Sequence, residues 1–351
     1  MRVLVASDSV GDLTSAQAGA AIAAGWVTAD VSVLPVGDSG NGFVTAYADL
    51  LHAELEIAVA DGYAVSSTRR EGMVVLEVSA PEPGGPMPLA ASSRPIGDTL
   101  AQVLAAQRPD RVLVDLGGLR VHDGGAGALA GLGALADQPL DQGASPLAAL
   151  TEVDLTRARA ALGATELIGV VPADQLHQHL LGLRGITSLG GREAGLDPGE
   201  LLATDAALER FARLVSPEHA TAAGGGACGG LGFAVLALGG RLTTGPALAF
   251  ESTAGVRDRA GVDLVVTGCS VFDFARRGGG VVAAAAQFAA DVLSPCVLIA
   301  GEVVIGAREM RTMGIEAAYA VRESSLDAPR GAVTAVELSR TAARVARSWS
   351  W

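Results

Sequence analysis

Short apolar runs that end in glycine, aspartate or serine alternate with alanine-rich stretches along most of the chain. Such runs, bounded by turn residues, are typical of buried parallel strands, and the stretches between them are typical of crossover helices. The pattern predicts strands at Val3–Ala6, Val31–Pro35, Arg111–Asp115, Glu166–Val171, Val262–Thr267, Cys296–Ala300 and Ala317–Val321. It predicts helices near Ser15–Ala24, Val44–Leu55, Ile96–Ala106, Gly124–Leu135, Leu202–Val215, Gly229–Leu238, Val281–Val292 and Ala332–Arg347. We therefore expect an α/β fold.

A different pattern occupies the segment from Glu56 to Ala80, where valine and leucine alternate with polar residues. Together with Gly62 and Gly72, this alternation predicts short antiparallel strands. Strand and helix patterns alternate again from about Val262. We therefore expect two lobes, the first formed by residues 1–60 and 255–351 and the second inserted between them as residues 61–254.

The sequence has 351 residues, of which 50% are hydrophobic, and a formal net charge of −13. A chain of this length and composition can bury a large core spread over two lobes. Its negative mean field would repel nucleic acid and anionic membranes, so we expect neither as a partner. No apolar run is long enough to cross a bilayer, and the chain begins with a strand pattern rather than a signal peptide, so we expect a cytoplasmic protein.

The sequence gives no indication of a metal or redox centre. Its three cysteines, Cys228, Cys269 and Cys296, are odd in number and lack CxxC spacing, which favours buried thiols over disulfides or zinc sites. His177 and His179 have the alternate spacing of two ligands on a strand, but no third ligand accompanies them. We therefore expect no resident metal.

All 25 basic residues are arginine, because the chain contains no lysine. Many phosphoryl-transfer sites place a lysine ammonium against the phosphates. In this chain only arginine, metal ions or backbone N–H groups are available for that contact.

Glycine, aspartate and serine cluster in turns that follow the predicted strands and precede helices. In α/β folds, ligands bind beyond the carboxyl ends of such strands, where helix N-termini offer free N–H groups to anions. The turns lie in Val3–Ala16, Leu34–Gly42 and Val112–Gly127, and a glycine-rich helix start follows at Gly224–Gly232.

In order and spacing, these turns resemble those of the type 1 glycerate kinases. In that family the first strand ends in a DSFKGSLSA-like turn, followed by P-x-A-D-G-G-E-G-T, G-G-S-A-T-N-D-G-G-A-G and a GAAGGLG helix start. Asp263–Gly268 is similar to the family's D-L-V-I-T-G strand, and Ala300-Gly301 and Gly314–Ala318 match two later segments. The resemblance covers nearly the whole chain.

This resemblance implies a two-lobed fold, in which a Rossmann-like three-layer domain with a parallel sheet is joined to a second, mixed α/β domain. It implies ATP-dependent phosphorylation of D-glycerate, or of a related small hydroxy acid, at a cleft between the lobes. Mg²⁺ would be carried by the nucleotide. The expected partners are therefore a small hydroxy acid and a nucleotide.

Several charged positions of the family are replaced in this chain. The family's lysine falls on Gly11, its glutamate falls on Asn41, and its S-A-T-N becomes Leu119–His122. Its E-G-R-x-D-x-Q-T becomes Cys269–Ala275, in which only Asp273 of the charged set is kept. Three hypotheses stay open: an active glycerate kinase, a kinase with an altered acceptor, and a pseudoenzyme that binds a ligand or serves assembly.

The resemblance and the turn positions together give the expected site. The candidate catalytic residues are Asp8, Asp38, Asp123, Asp273 and His122, the last as an acid or base. A helix N-cap or an Asx-turn is the alternative for the aspartates. The expected substrate-binding residues are Ser9, Ser39, Gly40, Ser93, Arg94, Gly118, Arg120, Gly124 and Gly125, among which Arg94 and Arg120 would clamp an anion or remain solvated. The expected nucleotide-binding residues are Gly225, Gly226, Gly268, Arg276 and Arg277.

Three assignments have explicit alternatives. Arg276 and Arg277 either replace the missing lysine charge or form an exposed glycine-rich loop. Cys269 is either a nucleophile or a buried thiol. The C-terminal Ser348–Trp351 either frays, docks by its rings or packs against a second subunit, so a homodimer is one expected assembly.

Overall fold

The computed structural model describes residues 1–81, 87–252, 261–322 and 332–350. The chain divides into two compact units. The first comprises Met1–Asp38, Thr45–Ala53 and Gly245–Trp351, and the second comprises Ser39–Val44 and Glu54–Thr244. Each unit has its own main sheet.

The first unit is built on a five-stranded sheet in which every neighbouring pair is parallel. The order across the sheet is β13 (Ala317–Ala320), β12 (Cys296–Val303), β11 (Leu264–Phe272), β1 (Arg2–Ser7) and β2 (Asp30–Pro35). Because all five strands run in one direction, their carboxyl ends lie along one edge.

Helices cover both faces of this sheet. Successive residues of a strand point to opposite faces. Val3 and Val5 pack with Ile22 of α1 (Ser15–Ala23) and Leu338 of α12 (Ala335–Trp349), whereas Leu4 packs with Phe288 of α10 (Gly279–Asp291). Three further helices are α2 (Phe43–Leu51), α9 (Gly245–Glu251) and α11 (Ala307–Thr312). This is the three-layer, Rossmann-like domain that the resemblance implied.

The second unit contains a mixed six-stranded sheet. Its order is β10 (Arg241–Thr243), β9 (Glu166–Val170), β6 (Arg111–Asp115), β5 (Met73–Ser79), β4 (Tyr63–Arg70) and β3 (Glu56–Ala60). The first four are mutually parallel. β4 pairs antiparallel with β5, and β3 pairs antiparallel with β4. β7 (Leu135–Ala136) and β8 (Val153–Asp154) form a separate pair.

The helices of the second unit pack around that sheet. Leu76 and Val114 of the sheet share one core with Leu100 and Phe211. The helices are α3 (Arg94–Gln107), α4 (Ala126–Gly131), α5 (Thr156–Leu162), α6 (Ile186–Glu193), α7 (Pro198–Val215) and α8 (Ala227–Ala237), with 3₁₀ turns at Ser145–Ala149, Ala173–Gln175 and Pro217–His219.

The predicted α/β class is confirmed by these two sheets. The antiparallel strands expected between Glu56 and Ala80 are β3, β4 and β5, and their turns contain Gly62 and Gly72 at positive φ. β3 pairs only within the second sheet, so this sheet begins at Glu56 rather than after residue 60.

The C-terminal helix packs its last ring against the edge strand of the first sheet. Trp349, at the end of α12, donates a hydrogen bond from Nε1 to the hydroxyl of Tyr319 at 2.9 Å, whereas Trp351 lies outside the described residues. Among the described helices, none is both long and apolar enough to cross a membrane.

Candidate active site

Acidic side chains follow neighbouring strands at the carboxyl edge of the first sheet. Asp8 follows β1, Asp38 lies shortly after β2, and Asp273 follows β11, which lies beside β1. Asp8 is 8% exposed and accepts a hydrogen bond from the Ser9 N–H at 2.7 Å. The parallel topology thus gathers three of the predicted catalytic aspartates within one unit.

The pKa of Asp8 is raised to about 6. Burial is the main cause and the negative charge of Asp38 adds to it, while the hydrogen bonds from Ser9 act in the opposite direction. A carboxyl group with this pKa can accept or release a proton near neutral pH. Asp8 is therefore the best-supported acid or base of the first unit.

The thiol alternative for Cys269 is not supported by its environment. Burial, together with the negative charges of Asp8 and Asp273, raises the pKa of this thiol to about 12. Since the thiolate is the nucleophilic form, a thiol with this pKa is inert near neutral pH. Cys269 is a buried core residue.

A glycine occupies the position of the family's lysine. Gly11 has φ of +60°, and a Cβ atom built on it would lie 2.9 Å from the backbone nitrogen of Val333. Its N–H donates to Ser270 Oγ at 3.0 Å. The backbone conformation and the close contact both disfavour a side chain here.

The segment before α10 carries two exposed arginines. Asp273 Oδ1 accepts the Arg276 N–H at 2.7 Å and so shapes the turn, and the Arg277 guanidinium lies 5.7 Å from the ring centre of Phe274. The first turn of α10 contains no acidic residue, and the space that a Cβ on Gly279 would occupy is open. A helix N-terminus with adjacent cations suits an anion.

In the second unit, a buried carboxylate fixes the turn of Ser39 and Gly40. Asp115, the last residue of β6, is fully buried and accepts hydrogen bonds from Ser39 Oγ at 2.5 Å and from the N–H groups of Gly40 and Gly117 at 3.0 Å. Gly40 has φ of +69°, and a Cβ there would lie 2.7 Å from the Gly117 carbonyl oxygen. These contacts require glycine at position 40 for packing.

A second carboxyl group accompanies Asp115. Glu77 of β5 stands opposite Asp115 in the strand register, and its Oε1 would lie 3.0 Å from a Cβ placed on Gly118. Burial, with the charge of Asp115 in support, raises the pKa of Glu77 to about 7. Because the hydrogen bonds to Asp115 favour its ionised form, we assign the negative charge to Asp115 and the labile proton to Glu77.

Asp123 and Ser93 act together inside the second unit. Both are fully buried, and the Ser93 N–H and Oγ each donate to Asp123 Oδ2 at 2.8 Å. The same carboxylate accepts the N–H groups of Gly125 at 2.9 Å and Gly127 at 3.2 Å, at the start of α4. Burial raises the pKa of Asp123, and these hydrogen bonds oppose the rise.

The burial of these two residues favours a positioning role, and their predicted contact with a substrate stays a prediction. The fully buried Asp123 carboxylate accepts hydrogen bonds from Ser93, which lies just before α3, as well as from Gly125 and Gly127 of its own turn, and Ser93 is equally enclosed. The hydrogen bonds of Asp123 agree with the Asx-turn alternative, in which the carboxylate positions the backbone of Gly125 and Gly127.

His122 and Arg94 lie in different surroundings. His122 is 4% exposed, its Nε2 lies 2.9 Å from Thr187 Oγ1, and burial lowers its pKa to about 4. It is therefore neutral at pH 7, which does not favour a role as an acid. Arg94 Nη1 lies 2.7 Å from Asp141 Oδ2, and its Nε lies 3.3 Å from Asp98 Oδ2.

Arg120 lines a cavity of about 330 Å³ in the second unit together with His122, Gln175, Gln178 and Cys228. Arg94 is not part of that lining, so the anion clamp expected from Arg94 and Arg120 is not seen there.

Three of the predicted nucleotide-binding glycines pack closely against their own units. A Cβ on Gly226 would lie 2.2 Å from the His179 carbonyl oxygen, one on Gly225 would lie 3.1 Å from the Ala222 carbonyl oxygen, and one on Gly268 would lie 2.5 Å from Ser7 Oγ. Packing therefore accounts for these glycines, and their contact with a nucleotide stays a prediction.

The described residues contain no group of three His, Cys, Asp or Glu side chains placed to hold a metal ion. His179 pairs in an isolated bridge with Gly185 in a turn region rather than in a strand. The expectation that Mg²⁺ is carried by a nucleotide stays a prediction.

Sequence reasoning missed five residues that shape these sites. Two of them carry a signal in the sequence. Asp115 is the last residue of a correctly predicted strand, and Glu77 is the one acidic residue in an apolar strand. Thr187, Gln175 and Gln178 lie in segments without a clear period, and no local signal marks them.

Comparison with known proteins identifies the family. The chain is 32% identical over 350 residues to an uncharacterized protein of Mycobacterium bovis, covering 92% of this chain and 84% of that protein. It is 28% identical to a glycerate kinase of Neisseria meningitidis, covering 93% and 92% of the two chains, and 24% identical to one of Bacillus cereus, covering 99% and 98%.

The fold likeness extends over the whole chain. The crystal structure of a protein described as glycerate kinase 2 from Salmonella typhimurium LT2 superposes with a TM-score of 0.80 at 24% identity, covering 99% of this chain and 98% of that one. The sequence model of the glycerate kinase family matches residues 3–350. The chain therefore belongs to the glycerate kinase family.

Proposed function

We propose that this protein phosphorylates D-glycerate, or a related small hydroxy acid, with ATP as the donor. The observation that carries the proposal is the set of aspartate turns at the carboxyl ends of the parallel strands, with Asp8 at a pKa of about 6 among them. Relatives along most of the chain are named glycerate kinase, which supports the same reaction class.

The chemistry demands a proton acceptor for the acceptor hydroxyl. The bond between the γ-phosphorus and the β–γ bridging oxygen breaks, a bond forms to the hydroxyl oxygen of the acid, and ADP leaves. The hydroxyl proton must pass to a base, and the ionised form of Asp8 is the residue we assign to that role. Asp38 tunes this base through its negative charge.

The residues before α10 suit the phosphates of the donor. Arg276 and Arg277 are exposed beside an N-terminus that lacks acidic side chains. MgATP, when bound, supplies the phosphoryl group and a cation that neutralises its charge. Because the chain lacks lysine, we assign phosphate binding to these arginines and the backbone N–H groups of the α10 N-terminus.

A ligand-binding protein without turnover is the second candidate. The observation in its favour is Gly11, which stands where the family has a lysine. Its backbone conformation and its close contact with Val333 leave no room for a side chain. Such a protein would bind a nucleotide or an acid and release no ADP, so binding and turnover must be measured separately.

The nucleotide part of the proposal is tested by isothermal titration of the full chain with MgATP. We expect Arg276→Ala combined with Arg277→Ala to raise the Kd at least about ten-fold, since each charge-assisted contact to phosphate contributes roughly 1.5–3 kcal/mol when it forms. The matched control is Arg308→Ala with Arg311→Ala, which removes two exposed arginines of the same unit.

The titration has two adverse outcomes. Equal loss of affinity in both double variants would show a nonspecific charge effect and would remove the assignment to Arg276 and Arg277. Failure of the wild-type chain to bind MgATP would contradict the proposal that ATP is the donor.

A further inference from the structure

One edge of the second unit's main sheet is formed by β3, which pairs only with β4 among the described strands. All five residues of β3 are exposed to solvent. The side chain of Ile57 is 67% exposed and that of Val59 is 78% exposed. An edge strand presents a row of backbone N–H and C=O groups that its own sheet does not pair, and such a row can bind a further strand.

This edge lacks the features that commonly protect edge strands from pairing, which are lysine, proline, bulges and inward-pointing charges. β3 pairs with β4 in unbroken register, from Glu56 opposite Ser67 to Ala60 opposite Tyr63, and it contains no proline. Its one charged residue is Glu56, whose Oε1 lies 3.4 Å from Nη2 of Arg69 on β4. The strand is therefore open and has little local net charge, although the whole chain is strongly acidic.

The hairpin turn after β3 determines which backbone groups point outward. Asp61 and Gly62 both have positive φ, at 51° and 84°, as in a two-residue type I′ turn. Ala60 and the residue opposite it flank this turn and form a hydrogen-bonded pair, and the two kinds of pair alternate along antiparallel strands. The N–H and C=O groups of Val59 and Ile57 therefore point away from β4, toward the open edge.

The outward groups of β3 are complementary to those of a second copy of β3. In an antiparallel pair related by a twofold axis at Ala58, Ile57 lies opposite Val59 of the second copy, and Val59 lies opposite Ile57 of that copy. The facing residues can form about four backbone hydrogen bonds. Their β-branched side chains lie on one face and form cross-strand pairs of a stabilising kind. Glu56 lies opposite Ala60 of the second copy, so no like charges face each other.

We infer that β3 is a self-association site, at which a second copy of this chain extends the six-stranded sheet by antiparallel β3–β3 pairing. A strand of five residues is only about 17 Å long, so the pairing buries less than the roughly 1,200 Å² of a stable interface. We therefore expect a weak dimer that forms at high protein concentration. This surface is distinct from the C-terminal segment considered from the sequence, and the inference does not depend on the proposed function.

The first test is sedimentation velocity of the full chain, whose sedimentation coefficient is expected to rise between about 5 and 500 μM as a weak dimer forms. Ile57→Arg combined with Val59→Arg places like charges on facing positions, whereas Ile57→Arg combined with Val59→Glu places opposite charges there. We expect the first variant to have a dimer Kd at least about ten-fold above that of the second. The matched control, Leu183→Arg combined with Leu202→Arg, changes two exposed apolar residues of the same unit and is expected to associate like wild type.

A disulfide tests the position of the twofold axis. The two copies of Ala58 face each other as a non-hydrogen-bonded pair, where Cα atoms about 4.5 Å apart can be bridged. Ala58→Cys is expected to give a covalent dimer on mild oxidation, seen on a non-reducing gel. Ala60→Cys, whose facing residue is Glu56, is expected to give none, as is the wild-type chain with its three free cysteines.

The outcomes decide between this surface and others. A wild-type chain that stays monomeric up to about 500 μM would overturn the inference and leave the edge to a strand of another protein. Equal association of the two charge variants would show that the dimer forms elsewhere on the chain and would also overturn it. If circular dichroism shows that a charge variant is unfolded, the Ala58→Cys and Ala60→Cys pair decides, because a covalent dimer of the first alone supports the inference and any other result contradicts it.

Discussion

Replacement of Asp123 by alanine is expected to lower the free energy of unfolding by about 3–5 kcal/mol, because the carboxylate is fully buried and serves four donor groups. The Ser93 N–H and Oγ and the N–H groups of Gly125 and Gly127 would lose their acceptor, and the start of α4 would lose its anchor. Urea denaturation followed by circular dichroism measures the change. If the alanine variant does not accumulate as folded protein, Asp123→Asn provides the measurement, with a smaller expected loss.

Asp137 offers a matched control for this experiment. It also accepts several hydrogen bonds, from the N–H and Oγ of Thr151 and the N–H of Glu152, but its side chain is exposed. Asp137→Ala is therefore expected to have a much smaller effect, because water replaces the lost partner. A loss below about 0.5 kcal/mol for Asp123→Ala, which is typical of surface substitutions, would contradict the positioning role.

Replacement of Asp8 by asparagine is expected to reduce kcat about 100-fold or more while leaving the fold intact, because the amide has nearly the same shape but cannot accept the hydroxyl proton. The neutral amide also avoids the burial of a charge. In the wild-type protein, kcat/KM for the acid is expected to rise with pH through about pH 6, where the Asp8 carboxyl loses its proton. The measurement is a pH series of initial ADP-release rates.

The control for this prediction lies four residues away. Asp12 is exposed in the same loop, and Asp12→Asn is expected to retain both the rate and the pH profile. A rate in Asp8→Asn within a few-fold of wild type, or a wild-type profile without a rise near pH 6, would show that Asp8 is not the base.

Much of the fold was predictable because the parallel strands are buried on both faces. The run Arg111–Asp115 was predicted with the bounds that β6 has, and Ser15–Ala24 differs from α1 by one residue. Continuous apolar runs between glycine or aspartate turns give this signal. The shortest elements, such as β7 at Leu135–Ala136, are set by tertiary contacts and have no local period to find.

The location of the candidate site was predictable from the sequence, but the roles of its individual residues were less so. The turns of Asp8 and Asp123 were both found from their strands, yet the sequence does not show that Asp123 is enclosed while Asp8 keeps some exposure. Burial depends on what packs over a turn, and this comes from distant parts of the chain. The same reason explains why Glu77, in the middle of an apolar strand, was not predicted beside Asp115.

The departures from the family pattern divide into two kinds. Gly11 replaces a charged side chain at a place where the backbone now leaves no room for one. Arg120 and His122 instead introduce new polar groups into a cavity. The first kind takes away a charge that the family pattern has, and the second kind adds a cation and an imidazole; that either changes the reaction is a hypothesis.

The most direct test of the central claim is a coupled ADP-release assay on the purified full chain with MgATP and D-glycerate, with product identified by ³¹P NMR. We predict release of ADP that depends on D-glycerate and is matched by a new phosphate monoester of the acid. ADP release no faster than in the absence of acid, for D-glycerate and for a panel of other small hydroxy acids, would contradict the assignment as a kinase.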